Sequence, residues 1–339
     1  MKKILLTISF ILFSLNVFAA EYELVLHHFY APEPSVTKVL VPWAEEVKKL
    51  TNGRVNIKII GGMKLGGKPS ELPKQARSGK VDLIWTVNGY SGREFIRTEV
   101  FSLPFIHTND PTATNLAMNE MLRTDLRDDY KGLEPLFIHS TQGFAIQSKG
   151  YGVRKPDDLK NKRARIPSRT GAWTLEELGA KPISVPVRMI PQTLQRKVAT
   201  TIMLPLTANP LLKLNRHISH FTEGHNQTRF GSVVFQLSMG QQKWNSLPPD
   251  IQAAFRKASG EKILRTAGRV WQDDEQRGIK EMKDFKREHI VLTKEETEKF
   301  RVKLEPVIER WIKDVRKDGI DGRKLVEKAK RLVEKYSQR

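Results

Sequence analysis

The 339-residue sequence contains 58 Lys and Arg but 38 Asp and Glu, so its formal net charge is +20 at neutral pH, and it contains no Cys. The absence of Cys excludes thiol catalysis, thiolate metal sites and disulfides, and a chain long enough for two domains can build its core without them. Because the basic residues are spread among acidic ones, we interpret the charge as a solvated surface whose field could also attract anions.

The first 19 residues have the pattern of a secretory signal peptide. Lys2 and Lys3 precede an apolar run that ends at Phe18, and small residues precede the cleavage site expected after Ala19. The run is short for a membrane span, and no basic stop-transfer segment follows it. We therefore expect an exported, periplasmic protein, whose formal charge falls from +20 to +18 when Lys2 and Lys3 are removed.

The next part of the chain alternates between strand and helix patterns. This β-α-β-α-β order predicts a parallel sheet with right-handed crossovers, and it brings the loops after the strands to one crevice. The predicted strands are 21–27, 54–60 and 81–86, and the predicted helices are 36–50 and 71–78.

Further short strands and helices follow, and then one long helical pattern. Apolar residues recur at intervals of three and four from Pro249 to about Lys286, which predicts a helix roughly 55 Å long. Gly260 or Gly278 is expected to bend it. Two more helices are predicted at 294–318 and 323–336.

Arg165 is the main candidate for ligand binding. Alternation along a strand places Arg163 and Arg165 on one face, and Pro167 stops sheet pairing just beyond them. The end of a strand is where α/β domains bind ligands, and a guanidinium suits a carboxylate held by two parallel hydrogen bonds. From spacing alone, a surface cation is the simpler interpretation, and Arg163 or Arg169 could be the anchor if the register differs.

Several short motifs follow one another in a characteristic order over some 250 residues. The segments are 65–67, 79–82, 89–93, 103–105, 158–167, 178–182, 194–195 and 244–250. In this order they resemble the DctP-like extracytoplasmic solute-binding proteins of tripartite ATP-independent periplasmic (TRAP) transporters.

The resemblance implies an α/β fold of the two-lobed periplasmic binding protein type, class II-like, with mixed sheets, a hinge, and a long helix packed across both lobes. We expect lobe I to comprise 20–142 plus 231–272, and lobe II 143–230 plus 273–339. The resemblance also implies that Arg165 grips a ligand carboxylate, and that the closed protein docks on a membrane permease. It implies a receptor rather than an enzyme, with no cofactor, and we expect a monomer.

Two departures from the family pattern bear on the ligand. Ala199-Thr200-Thr201 replaces the usual Val-Asp-Gly, and the second arginine that sialic-acid binders and some dicarboxylate binders carry would fall near Phe144. We therefore expect a monocarboxylate with a hydrophobic or aromatic body. The aromatic candidates could equally be core residues. The predicted ligand-binding residues are Arg165, Phe29, Tyr30, Trp85, Asn88, Tyr90, Gln142, Phe144, Pro167, Met203 and Leu204.

Other classes of function are less well supported by the sequence. A basic envelope protein that binds polyanions, such as nucleic acid or a lipid surface, fits the charge but lacks a stacking module or a clustered basic stripe. An exported hydrolase lacks a nucleophile motif, and the paired glycines lack phosphate-loop spacing. His217, His220 and His225 lack the further ligands of a metal site, so we predict that the protein binds no metal. We also predict that it binds no nucleic acid, because the sequence lacks a stacking module and a clustered basic stripe.

Overall fold

The computed structural model describes residues 20–30, 34–166 and 168–338, and the predicted signal peptide lies outside them. In this part of the chain the strands are β1 (Tyr22–His28), β2 (Val55–Ile60), β3 (Leu83–Val87), β4 (Leu133–His139), β5 (Ala145–Ser148), β6 (Arg163–Arg165), β7 (Lys181–Ile183), β8 (Thr201–Leu204), β9 (His220–Glu223), β10 (Phe235–Gly240) and β11 (Glu288–Val291).

The α-helices range from single turns to a helix of 24 residues. Within the described residues, no helix combines the length and apolar composition that crossing a membrane requires. The helices are α1 (Pro34–Leu50), α2 (Leu72–Arg77), α3 (Pro111–Leu122), α4 (Arg169–Glu177), α5 (Ile190–Gln195), α6 (Asn209–Leu212), α7 (Gln241–Ser246), α8 (Pro249–Ala258), α9 (Glu261–Asp284), α10 (Lys294–Val315) and α11 (Gly322–Ser337).

Two mixed sheets form the centres of two lobes. The five-stranded sheet of lobe I has the order β2-β1-β3-β10-β4, in which β1 runs parallel to β2 and β3, and β10 is antiparallel to β3 and β4. The parallel start predicted from the sequence is thus confirmed. The six-stranded sheet of lobe II has the order β11-β9-β5-β8-β6-β7. Its edge strand β11 was not predicted.

The chain passes between the sheets after β4 and again before β10. These two crossing segments pair with each other, because Phe144 N donates to Gly231 O at 2.8 Å and Phe230 N donates to Phe144 O at 3.1 Å. The helix α9 leads back to β11 in lobe II. The helix α11 packs against α3, so the last helix of the chain contacts the lobe that holds the five-stranded sheet.

The long helical pattern is interrupted where one of the two predicted glycines lies. The helix α8 ends before Ser259, and Gly260 is extended (φ −81°, ψ −164°) before α9 begins. Gly278 has a different role, because a Cβ there would lie 2.2 Å from the backbone oxygen of Leu206. It therefore allows α9 to pack closely on lobe II, while the other half of α9 packs on α3 in lobe I.

A buried charge cluster fixes the second crossing segment. The guanidinium of Arg229 forms ion pairs with Glu223 at 2.6 Å and with Glu275 of α9 at 2.9 Å, and His289 lies 2.8 Å from Glu223. Burial raises the pKa of Glu275 to about 7, although the charge of Arg229 opposes the rise. The cluster joins the crossing segment to β9, β11 and α9, so the lobe II end of this segment is anchored on three elements.

Candidate functional site

The principal cleft lies between the two lobes and has a volume of about 1170 Å³. Lobe I contributes loops that follow β1, β2 and β3, including Phe29, Tyr30 and Tyr90. Lobe II contributes Arg165 at the end of β6 and the N-terminal turn of α4. The cleft therefore lies at the strand ends, as expected for an α/β ligand site.

Arg165 is a buried cation in this cleft, and it keeps one free donor group. Its side chain is only 1% exposed, and its Nε donates to the backbone oxygen of Val185 at 3.1 Å. Its Nη2 has no hydrogen-bond partner among the described residues, and no carboxylate in that part of the chain pairs with it. A buried charge without a counter-ion is costly, so this arrangement is suited to receiving an anion.

Two neighbouring tyrosines affect the pKa of Arg165. Burial lowers the pKa of the Arg165 guanidinium, and interactions with Tyr90 and Tyr30 oppose that effect. Arginine nevertheless stays protonated in proteins. Burial raises the pKa of Tyr90, partly offset by the charge of Arg165, so its hydroxyl is neutral at physiological pH. The guanidinium of Arg165 thus keeps its positive charge beside the neutral hydroxyl of Tyr90.

The two alternative arginines have other partners. Arg163 is exposed, and its Nη2 donates to the backbone oxygen of Lys197 at 2.6 Å. Arg169 lines the cleft, but its guanidinium binds both oxygens of Glu99 at 2.8 and 2.6 Å and an oxygen of Asp314 at 2.8 Å. Arg163 therefore lies outside the cleft and Arg169 is neutralised, so Arg165 is the one of the three that brings an unneutralised charge to the cleft.

An aromatic wall faces Arg165 from lobe I. The ring of Phe29 contacts Tyr30 and Tyr90 edge-on, with centroids 5.3 Å apart in both pairs. Behind it, Phe29 stacks on Trp85 at 5.6 Å. The wall offers ring faces and edges of the kind that pack against a planar apolar body.

Four of the eleven predicted ligand-binding residues line the cleft, namely Arg165, Phe29, Tyr30 and Tyr90. Pro167 falls outside the described residues. The remaining six predicted residues do not line it: Trp85, Asn88, Gln142, Phe144, Met203 and Leu204.

These six lie behind the cleft because their side chains have other buried partners. Trp85 lies in a stack with Phe235 and is covered by Phe29. Asn88 is held by hydrogen bonds to Tyr130 and Gln236. The other four belong to the crossing segments or to strand β8, where the side chains of Gln142, Phe144, Met203 and Leu204 are buried.

Sequence reasoning missed most of the lobe II wall. This wall consists of 184–188 with Pro191, and of 211–217. It is built from short helical turns without a regular apolar period, so no pattern marks it as a wall. His217 belongs to this wall, whereas His220 pairs with Glu288 at 3.1 Å, and no cluster suited to a metal ion occurs among the described residues.

Together, the two sheets, the double crossing and the interlobe cleft define the class of two-lobed solute-binding proteins. The family model for bacterial extracellular solute-binding protein, family 7 (DctP) matches residues 26–314. The chain belongs to this family. The C4-dicarboxylate-binding periplasmic protein DctP of Rhodobacter capsulatus is 26% identical over 286 residues, covering 83% of both chains.

Solved structures of TRAP solute-binding proteins resemble the whole described molecule. A protein from Rhodoferax ferrireducens in complex with copurified benzoate has a TM-score of 0.88 and 29% identity, covering 93% of this chain and 98% of that one. A marine metagenome protein specific for aromatic acids, solved with 3-hydroxybenzoate, has a TM-score of 0.89 and 29% identity, covering 94% and 99%. The chain is thus a solute-binding protein of the TRAP type.

Replacing Arg169 tests whether its role is structural. In Arg169→Ala the buried Glu99 loses its cation, so we expect the free energy of unfolding at pH 8 to fall by about 3 kcal/mol. Burial already raises the pKa of Glu99 while Arg169 lowers it, so the variant's folded state should hold that proton to higher pH than the unfolded state. The loss should therefore be smaller at pH 5 than at pH 8.

Denaturant unfolding at the two pH values measures this effect, and Arg163→Ala is the matched control because its side chain is exposed. The control should change the free energy of unfolding by at most about 0.5 kcal/mol. A similarly small, pH-independent change in Arg169→Ala would show that the Glu99 pair does not stabilise the fold.

Proposed function

We propose that the protein is the periplasmic receptor of a TRAP transporter for an organic acid with an aromatic or other apolar body, and that Arg165 binds the ligand's carboxylate. The buried guanidinium of Arg165, with its unpartnered Nη2 in the cleft, carries this proposal. A ligand carboxylate would supply both the missing acceptor and the missing counter-charge.

The walls of the cleft support an apolar body for this ligand. The three rings of Phe29, Tyr30 and Tyr90 face the cleft from lobe I, and Val185, Pro186 and Val187 face it from lobe II. Clefts of this composition bury the apolar surface of a ligand and use a few polar groups to orient it. The aromatic acids bound by the two related proteins have this combination of a carboxylate and a ring.

The proposed cycle consists of capture, closure and delivery. Ligand that contacts both lobes favours the state in which the lobes are closer, because only that state makes both sets of contacts. The two paired crossing segments are the proposed hinge, and the closed protein would deliver the acid to a membrane permease. In this role the protein acts as a monomer and carries out no chemical reaction on its ligand.

Removing the Arg165 guanidinium should abolish tight binding. Because Arg165→Ala leaves the bound carboxylate desolvated and unpaired, we expect a loss of about 2–5 kcal/mol in binding free energy. Arg165→Lys keeps the charge but not the two parallel donors, so it should restore only part of that loss. Isothermal titration with benzoate, or with the tightest binder from a thermal-shift screen of aromatic acids, measures both variants.

The matched control is Arg163→Ala, which removes a cation two residues away that lies outside the cleft. Its affinity for the acid should stay within about twofold of the unchanged protein. Near-native affinity in a folded Arg165→Ala would contradict the assignment. Stabilisation of the protein by polyanions alone, fading as salt is added, would instead support an envelope protein that binds polyanions.

Ligand binding should also make the molecule more compact. If the acid joins the lobes, small-angle X-ray scattering should show a smaller radius of gyration at saturating ligand than in its absence. Arg165→Ala at the same acid concentration is the control and should keep the radius of the free protein. An unchanged radius with ligand bound, verified by titration, would argue against closure.

A further inference from the structure

The charges that line the cleft are all of one sign. Six Lys and Arg side chains line it, and no Asp or Glu does. In the whole chain Lys and Arg outnumber Asp and Glu only by 58 to 38. The cleft lining is therefore more basic than the chain as a whole. A lining without acidic side chains suits a strongly anionic ligand.

Three of these cations form a basic rim on lobe II, consisting of Arg188, Lys213 and Arg216. All three side chains are exposed, and within the described part of the chain none of them forms an ion pair with a carboxylate. The lining residue Arg169 shows the contrast, because Glu99 and Asp314 neutralise it. The rim therefore keeps its positive charge next to the cleft.

An apolar stretch separates the basic rim from Arg165. Arg165 donates a hydrogen bond to the backbone oxygen of Val185. From Val185 the wall continues through Pro186 and Val187 to Arg188. Three residues of chain span at most roughly 10 Å. Along the wall, a buried cation is thus followed by apolar side chains and then by an exposed cation. The backbone of Arg188 lies no farther from that of Val185 than about the length of a substituted ring.

We propose that the cleft selects an acid with two anionic groups at opposite ends of an apolar, ring-sized body, one held by Arg165 and the other by the basic rim. The inference rests on the proposed function and changes the expected ligand from the monocarboxylate predicted from the sequence to an acid with two anionic groups. The first group is buried against Arg165, while the second stays partly hydrated beside the rim. Because exposed ion pairs are weak, the rim adds selectivity rather than most of the affinity.

Titration calorimetry of the mature protein with benzoate and with benzene-1,4-dicarboxylate tests this proposal at one fixed ionic strength. The unchanged protein should bind the dicarboxylate about tenfold more tightly. Arg188→Gln and Lys213→Asn should each weaken dicarboxylate binding about threefold, and together about tenfold, while benzoate affinity stays within about twofold. Asn suits position 213 because Lys213 has a left-handed backbone conformation, φ 51°.

The chain offers a matched control in Lys286→Asn. Lys286 is also an exposed lysine in the left-handed conformation, φ 55°, but it does not line the cleft. This variant changes the net charge by the same amount as Lys213→Asn, so it should leave both affinities unchanged if the rim acts locally. Equal losses in the two lysine variants would mean that only the general field of the protein matters, which would overturn the proposal.

Two other outcomes separate this inference from the proposed function. If benzoate binds as tightly as the dicarboxylate, or if the rim variants weaken both acids equally, the two-anion ligand is excluded while Arg165 can still be the carboxylate anchor. If neither acid binds, the inference fails. If, in addition, no aromatic acid of the thermal-shift screen binds more weakly to Arg165→Ala than to the unchanged protein, the proposed function fails as well.

Discussion

A buried guanidinium without a protein counter-ion is the constraint on which the rest of this structure depends. Arg165 is held at the end of a short strand, where its Nε donates to the backbone oxygen of Val185, and its buried Nη2 has no hydrogen-bond partner among the described residues. Leaving a charge desolvated destabilises the fold, and the surrounding structure must supply the stability that this site lacks. In the proposed function a ligand carboxylate removes this imbalance, so the same feature that costs stability would provide affinity.

The elements that join the two lobes are held by contacts of their own. The crossing segments pair through the backbone of Phe144, and the fully buried charges of Arg229, Glu223 and Glu275 tie the second segment to α9. Gly278 lets α9 approach the backbone of lobe II more closely than any side chain would allow. These contacts lie away from the cleft, so they can persist while the cleft exchanges its ligand.

The sequence predicted the fold better than it predicted the site. Period-two and period-three-to-four patterns indicated the strands and helices of lobe I, and strand alternation followed by a proline made Arg165 a candidate that only the family resemblance raised above a surface cation. Proximity to a strand end did not distinguish Phe29, which lines the cleft, from Trp85, which lies behind it. That difference depends on which side chain is covered by another element, and such tertiary packing leaves no local pattern.

The same limit explains why parts of lobe II were not predicted from the sequence. The wall that carries Arg188 and Lys213 consists of short turns, and β11 is an edge strand of four residues, too short for a clear alternation. By contrast, the order of short motifs along the chain identified the family, because it samples the whole sequence rather than one element. Local patterns thus offered Arg165 as a candidate anchor, and the long-range order identified the class of protein.

A crystal structure with a bound aromatic acid would test the central claim most directly. The account predicts a carboxylate oxygen about 2.7–2.9 Å from Nη2 of Arg165, with the apolar body between the aromatic wall of lobe I and the 185–187 stretch of lobe II. An acid bound elsewhere in the cleft, with the Arg165 guanidinium satisfied only by protein groups, would contradict it.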